Sequence, residues 1–181
     1  MEIYLVRHTK PAIDKDVCYG QADVPVDAGV FEPSAKNLLT QLPDKIAALY
    51  SSPLIRCSYL AKYIKANKYN TKTIDYSDLL KEVHFGDWEN KKWNDINQTA
   101  LQEWMNDFVN QSPPDGESFL ALHQRTNQFL SLLKNSSYSS AVIVTHAGVI
   151  RSITSHIQQK LLNDAFAITC DYGSVTKLTL L

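Results

Sequence analysis

The sequence has no excess of charge, no long apolar run and no cysteine pair. Its 18 Lys and Arg residues face 19 Asp and Glu residues, a formal net charge of -1 over 181 residues. A chain this balanced has no global field for gripping nucleic acid or an anionic membrane. No apolar stretch approaches the roughly 20 residues of a bilayer span. The first run, Ile3 to Val6, ends at Arg7 and His8 and is too short for a signal-peptide core. Cys18, Cys57 and Cys170 are widely spaced with no CxxC. That argues against a disulfide framework or a cysteine zinc site, and fits a reducing compartment such as the cytoplasm. There is no internal repeat and no low-complexity segment. The hydrophobic fraction, 44%, is ordinary for a globular protein, and the length suits a single domain over 1–181.

Strand and helix signals alternate along the chain. Ile3 to Val6 reads as a buried strand. Residues 10–29 hold Pro11, Gly20, Pro25 and Gly29 and read as a long loop, of the kind that is often functional. A weak helix is expected near 34–42 and a strand at 45–50. Ser52 is the expected N-cap of the next helix, with Pro53 at its first position and Leu54, Cys57, Ala61 and Ile64 on its core face. A strand at 72–76, one or two helices within 93–109 and a turn at 112–116 follow. Asp115 or Gly116 should cap a helix that runs to Lys134. A strand at 141–145, a helix from about Gly148 and a half-exposed strand at 175–181 complete the chain. This alternation predicts an α/β fold of three layers, α/β/α, with a mostly parallel central sheet.

In such sheets ligands bind outside the carboxyl ends of the strands, and three of those ends carry unusual residues. One strand ends in Arg7-His8. The second ends in Ser51-Ser52, with Arg56 just beyond. The strand at 141–145 ends in His146, followed by Ala147-Gly148. Two arginines and two helix starts favour an anion, and the arginine fork fits phosphate. A metal site is disfavoured, because the arginines repel cations and no HxH or HExxH spacing is present. No GxSxG elbow marks a serine nucleophile, and Cys57 falls on an apolar helix face. A histidine can itself attack phosphorus, provided that an acid protonates the leaving alkoxide. Glu82 is the candidate acid, since a carboxyl beside a bound phosphate dianion holds its proton more readily. Asp87 and Glu89 are nearby alternatives, and His84 lies two residues past Glu82. His123 and His156 read as surface or packing residues, and Arg125 and Arg151 as surface ion-pair partners. Trp88, Trp93 and Trp104 read as packing residues, with stacking on a planar aromatic base as a minority reading.

Leu5-Val6-Arg7-His8-Thr9 resembles the signature of the histidine phosphatase superfamily, which includes the phosphoglycerate mutases. Ser51-Ser52-Pro53-Leu54-Ile55-Arg56-Cys57 is similar to its second arginine motif. Glu82 with Phe85-Gly86-Asp87-Trp88-Glu89 is similar to its proton-donor segment, Gly116-Glu117-Ser118 to the start of its late helix, and Val144 to Arg151 to its second-histidine motif. The pieces occur in the family's order over nearly the whole chain. Within the superfamily, Arg7 to Pro11, Cys18-Tyr19-Gly20-Gln21, Arg56-Cys57 and the pair Trp88 and Trp93 resemble the α-ribazole phosphatase branch of cobalamin biosynthesis. The resemblance implies a phosphoglycerate mutase-like fold, His8 as nucleophile, Glu82 as proton donor, and Arg7, Arg56 and His146 as phosphoryl ligands. Thr9, Tyr19, Gln21 and Ala147 are the further substrate-binding candidates it suggests.

Three departures stand out. Thr9 replaces the common glycine, Lys10-Pro11 replaces a Glu and a hydroxyl residue, and the mutases' phosphate-binding asparagine has no counterpart between Thr9 and Gly20. The expected partner is a small phosphorylated substrate, with no nucleic acid, membrane, metal or cofactor; a homodimer is left open. The competing readings are a phosphoglycerate mutase, a broad phosphatase for small molecules or phosphoproteins, and a non-catalytic phospholigand binder. A chain that stops right after its last strand favours hydrolysis over mutase chemistry. Retention of both His8 and Glu82 argues against the binder.

Overall fold

In the computed structural model, which describes residues 1–70 and 72–181, side-chain alternation along two strands sets the whole architecture. The elements are β1 (Glu2–Arg7), α1 (Ala28–Gln41), β2 (Ala48–Ser51), α2 (Ile55–Asn67), β3 (Asp75–Tyr76), α3 (Gln98–Asn106), α4 (Phe119–Lys134), β4 (Ser140–Thr145), α5 (Ala147–Ile157) and β5 (Val175–Thr179). The sheet order is β3-β2-β4-β1-β5, with β5 antiparallel to β1 and the other pairs parallel. Ile3, Leu5, Ala141 and Ile143 enter one core, with Leu122, Phe129, Ile150 and Ile153 of α4 and α5. Tyr4, Val6, Val142 and Val144 enter the other, with Phe31, Leu38, Leu60 and Ile64 of α1 and α2. A period of two along a strand buried on both faces yields this three-layer arrangement. A third, smaller cluster joins Cys18, Trp88 and Ile96, with Phe85, Trp93 and Trp104 packed against it.

The register fixes the site. Arg7 lies opposite Thr145, so His8 and His146 leave neighbouring strands at one level. The His8 N–H donates to the Thr145 carbonyl at 3.0 Å, and the Ser52 N–H to that of Val144 at 2.9 Å.

Several element boundaries differ from the expectation. Helix α1 begins at Ala28, not near residue 34, because Asp27 caps it by accepting from the Gly29 N–H at 3.0 Å. Pro33 sits inside this helix and hides its start from pattern reading. Helix α2 begins at Ile55, and Ser52 is not its N-cap. The Ser52 hydroxyl is instead bonded to His146, and the α2 N-terminus is served by Asp23, whose Oδ1 accepts from the Ile55 N–H at 2.7 Å. Helix α4 is capped by Ser118, not by Asp115 or Gly116; its hydroxyl accepts from the Ala121 N–H at 3.2 Å. Asp115, at φ 54°, shapes the preceding turn. The strand expected at 72–76 is reduced to Asp75–Tyr76. The stretch at 93–109 divides into a short 3₁₀ turn, Trp93–Asp95, and α3. Among the described residues, no helix is long and apolar enough to cross a membrane.

Candidate active site

His8 follows directly on β1 and is 1% exposed. Its Nδ1 lies 2.7 Å from the Thr9 carbonyl. A carbonyl only accepts, so Nδ1 carries the ring proton and the neutral ring keeps its lone pair on Nε2. Burial, together with the guanidinium groups of Arg56 and Arg7, holds the His8 imidazole well below the ordinary histidine range. The ring is therefore an uncharged base at neutral pH.

Arg56 is fully buried. It donates through Nη2 to the Gly20 carbonyl at 2.6 Å, through Nη1 to that of Ala22 at 2.9 Å and through Nε to His146 Nδ1 at 3.3 Å. Of the five guanidinium N–H groups, one on each Nη is thus uncommitted. Arg56 fastens the loop after His8 and still offers a pair of donors. Arg7 donates to the Cys170 carbonyl at 2.5 Å, and its guanidinium lies 3.8 Å from the centre of the Tyr172 ring. Its Nε and the Thr9 hydroxyl, the side chains on either side of His8, are buried without a hydrogen-bond partner. Buried unpaired polar atoms are costly, and two beside a neutral imidazole mark where an anion fits.

His146, expected as a phosphoryl ligand, lies at the site bonded to Arg56 and Ser52. Its Nδ1 accepts from Arg56, so Nε2 carries the proton and donates to the Ser52 hydroxyl at 2.8 Å. Both ring nitrogens are thereby engaged, and the residue orients Arg56. Its ring stands edge-on to that of His8, with centroids 5.2 Å apart. Burial and Arg56 also hold this imidazole well below the ordinary range. Ala147 opens α5 at the same place, in the turn where helix N–H groups have no intrahelical partner. Cys57 lies 3.4 Å from His146 Nε2, but burial pushes its thiol far up, so it is a packing residue and not a nucleophile.

Glu82 is anchored at this helix start. Its Oε2 accepts from the Gly148 N–H at 3.2 Å and its Oε1 from the Val83 N–H at 3.0 Å. A side chain on Gly148 would put its Cβ 2.3 Å from Glu82 Oε1, so glycine is required for the carboxylate to rest there. The alternatives for the acid are committed elsewhere. Glu89 Oε1 accepts from the N–H groups of Gln21 and Phe85, and its Oε2 from that of Ala22. Asp87 is exposed. His84 is held through its backbone, which bonds Glu117 in both directions.

The structure brings His8, Thr9, Arg7, Arg56 and His146 together and gives Gln21 and Tyr19 supporting positions. Gln21 donates its side-chain amide to the Glu82 carbonyl at 3.0 Å. The Tyr19 hydroxyl is 2.7 Å from that of Tyr172, whose ring centre is 5.5 Å from that of His8. Sequence reasoning missed Tyr172, and it placed Arg125 on the surface. Arg125 is mostly buried. It grips Glu117 with two bonds, at 2.6 and 3.1 Å, and donates to the carbonyls of Leu79 and Glu82, both at 2.9 Å. Glu117 lies just before the Ser118 cap and Arg125 in the second turn of α4, and no helical period across that boundary signals their pairing. Arg151 likewise is tied inward, to the Ile168 carbonyl at 3.2 Å.

The profile of the histidine phosphatase superfamily (branch 1) matches residues 3–180. The chain belongs to that superfamily. It is 28% identical to the adenosylcobalamin/alpha-ribazole phosphatase of Escherichia coli K12 over 163 residues, 87% of this chain and 79% of that protein. It is 31% identical to a metal-independent phosphoserine phosphatase of Arabidopsis thaliana over 130 residues, 66% of this chain and 54% of that protein. Among solved structures, the alpha-ribazole phosphatase of Shigella flexneri superposes with a TM-score of 0.87 at 26% identity, covering 98% of this chain and 89% of that one. A mycobacterial glucosyl-3-phosphoglycerate phosphatase shares the fold, with a TM-score of 0.84 at 19% identity over 97% of this chain and 88% of that one.

Proposed function

We propose that the protein hydrolyses phosphomonoesters through a phosphohistidine on His8, and that its substrate is α-ribazole 5'-phosphate or a later phosphorylated cobamide. The observation that carries the chemistry is the His8 tautomer: Nδ1 is tied to the Thr9 carbonyl, leaving a neutral Nε2 among buried donors. The His8 Nε2 lone pair attacks phosphorus, and the bond from phosphorus to the ester oxygen breaks. Glu82 gives its proton to the departing alkoxide. In the second half, water attacks the phosphohistidine, Glu82 takes the water's proton, and inorganic phosphate leaves. Arg7 and the spare Arg56 donors balance the charge that builds on the phosphoryl oxygens. His146 and Ser52 hold Arg56, while Thr9, Gln21, Tyr19 and the Ala147 N–H shape the rim. The substrate reading is supported by the two α-ribazole phosphatase relatives and by the Arg7 to Pro11 and Cys18 to Gln21 segments. The reading treats the chain as one catalytic unit working in the cytoplasm.

The test is steady-state hydrolysis of α-ribazole 5'-phosphate, 3-phosphoglycerate and a phosphoserine peptide in excess EDTA, with acid-stopped trapping of the phosphoenzyme. α-Ribazole 5'-phosphate should have the highest kcat/KM, and EDTA should not reduce it. His8→Ala should lose about four orders of magnitude or more in kcat, as removal of a nucleophile does, along with all trapped phosphate. A trapped phosphoenzyme in His8→Ala would place the nucleophile elsewhere.

A further inference from the structure

Next to Glu82 the chain builds a hollow with no part in the phosphoryl chemistry. A cavity of about 550 Å³ is walled by Phe85, Trp93, Trp104, Met105, Phe108 and Phe166. A smaller hollow of about 90 Å³ is lined by Glu82, Gly148 and Arg151, and it shares Phe85, Trp104, Phe108 and Phe166 with the large one. The aromatic cavity therefore adjoins the hollow that Glu82 lines, beside the residue proposed above as proton donor.

The cavity's chemistry is specific. Its rings meet edge to face: Phe85 with Trp93 at 5.6 Å, Phe85 with Trp104 at 5.7 Å and Phe108 with Phe166 at 4.6 Å between centroids. Such pairs leave ring faces free to stack on a further ring. At the rim, Met105 is 56% and Phe166 52% exposed, so the cavity stands open to an apolar ligand. The volume is that of a small-molecule site, and its concave form suits a single ring system rather than a partner's helix.

Building on the phosphatase reading above, we infer that this cavity receives the planar heteroaromatic base of the substrate, one pentose away from the phosphate. The polar cluster carries out the reaction, and the cavity decides which ester is chosen.

The test compares esters that share one leaving group. Ribose 5-phosphate has the same primary alkoxide as α-ribazole 5'-phosphate and adenosine 5'-phosphate but carries no base. The wild-type enzyme should favour a base-bearing ester over ribose 5-phosphate by about tenfold to a hundredfold in kcat/KM, the size of one base stacked on aromatic side chains. Phe166→Ser and Met105→Glu, both at the half-exposed rim, should each pull that ratio towards one. If neither base-bearing ester is favoured, or if both variants keep the wild-type ratio, the inference is overturned while His8 chemistry stands. If adenosine 5'-phosphate alone is favoured and the variants erase that preference, the inference holds and the proposed substrate falls.

Discussion

The two halves of the site are built by different means. On the phosphate side His8, Thr9, Ser52, Arg56 and His146 are all at most 1% exposed. They come from the ends of adjacent strands or the helix after one, and Arg56, His146 and Ser52 are bonded in series. On the leaving-group side, Glu82, Phe85 and Trp93 hang on a segment with two short 3₁₀ turns, while Trp104 comes from α3 and Phe166 from a 3₁₀ turn late in the chain. That segment is held by the Arg125–Glu117 pair, by Glu89 and by ring edges. The first half cannot shift without rebuilding the sheet. The second can be redrawn by exchanging a few side chains. On the proposed mechanism, reaction and selectivity are thereby separable within one scaffold.

The largest effect that should sharpen this contrast comes from Glu82→Gln. Its amide cannot protonate an alkoxide, so a ribose 5'-phosphate ester should slow by about a hundredfold to ten-thousandfold. A para-nitrophenyl ester, whose leaving group departs unaided, should slow far less. Arg56→Lys should instead reduce both esters alike. Equal losses on the two esters in Glu82→Gln would remove it as proton donor and break the division between the halves.

A smaller effect is expected for Arg125→Met. Arg125 bonds Glu117 and the backbone carbonyls of Leu79 and Glu82, so it is a positioning residue. Its loss should cost about 3 kcal/mol of stability, because Glu117 is left poorly solvated and unpaired, read as the urea midpoint. It should also slow the ribose ester about tenfold to a hundredfold through misplacement of Glu82, while the nitrophenyl ester changes less. A uniform loss on both esters would reduce Arg125 to a stability residue.

The smallest effect concerns the phosphate side and pH. The folded His8 imidazole titrates below its ordinary value of 6.5, chiefly through burial. The unfolded chain takes up that proton near pH 6.5 and the folded one does not. The stability associated with the neutral ring is therefore complete above pH 6.5 and is lost as the pH falls below it. The urea midpoint of the wild type should drop between pH 7.5 and 5.5, and drop less in His8→Gln. Identical drops would show that His8 is not held as the neutral form.

Much of the phosphate side was legible in the sequence, and the reason is physical. Ile3 to Val6 and Ala141 to Val144 are apolar on both faces, so they read as central strands, and the polar residues that end them had to face a crevice. The pieces that did not read correctly are those fixed by distant partners. Ser52 looks like a cap locally, yet His146 claims its hydroxyl and Asp23 replaces it. Arg125 looks like a surface ion pair, yet two carbonyls 43 and 46 residues away draw it inward. Trp93 and Trp104 read as packing residues, and they do pack; only the cavity they leave between them was beyond pattern reading, because no periodicity encodes an unfilled volume.

The position of β1 also governs when the site can exist. It lies between β4 and β5, whose residues follow it by more than 130 positions in the chain. On a ribosome His8 emerges well before Thr145, and it waits for Thr145 before its backbone has a partner. A nascent chain cut short before β4 would carry His8 but neither the strand beside it nor His146. The order of synthesis thus works as a timer: the His8 imidazole is assembled among its arginines only after β4 has been made, through sequence-distant pairings that form slowly.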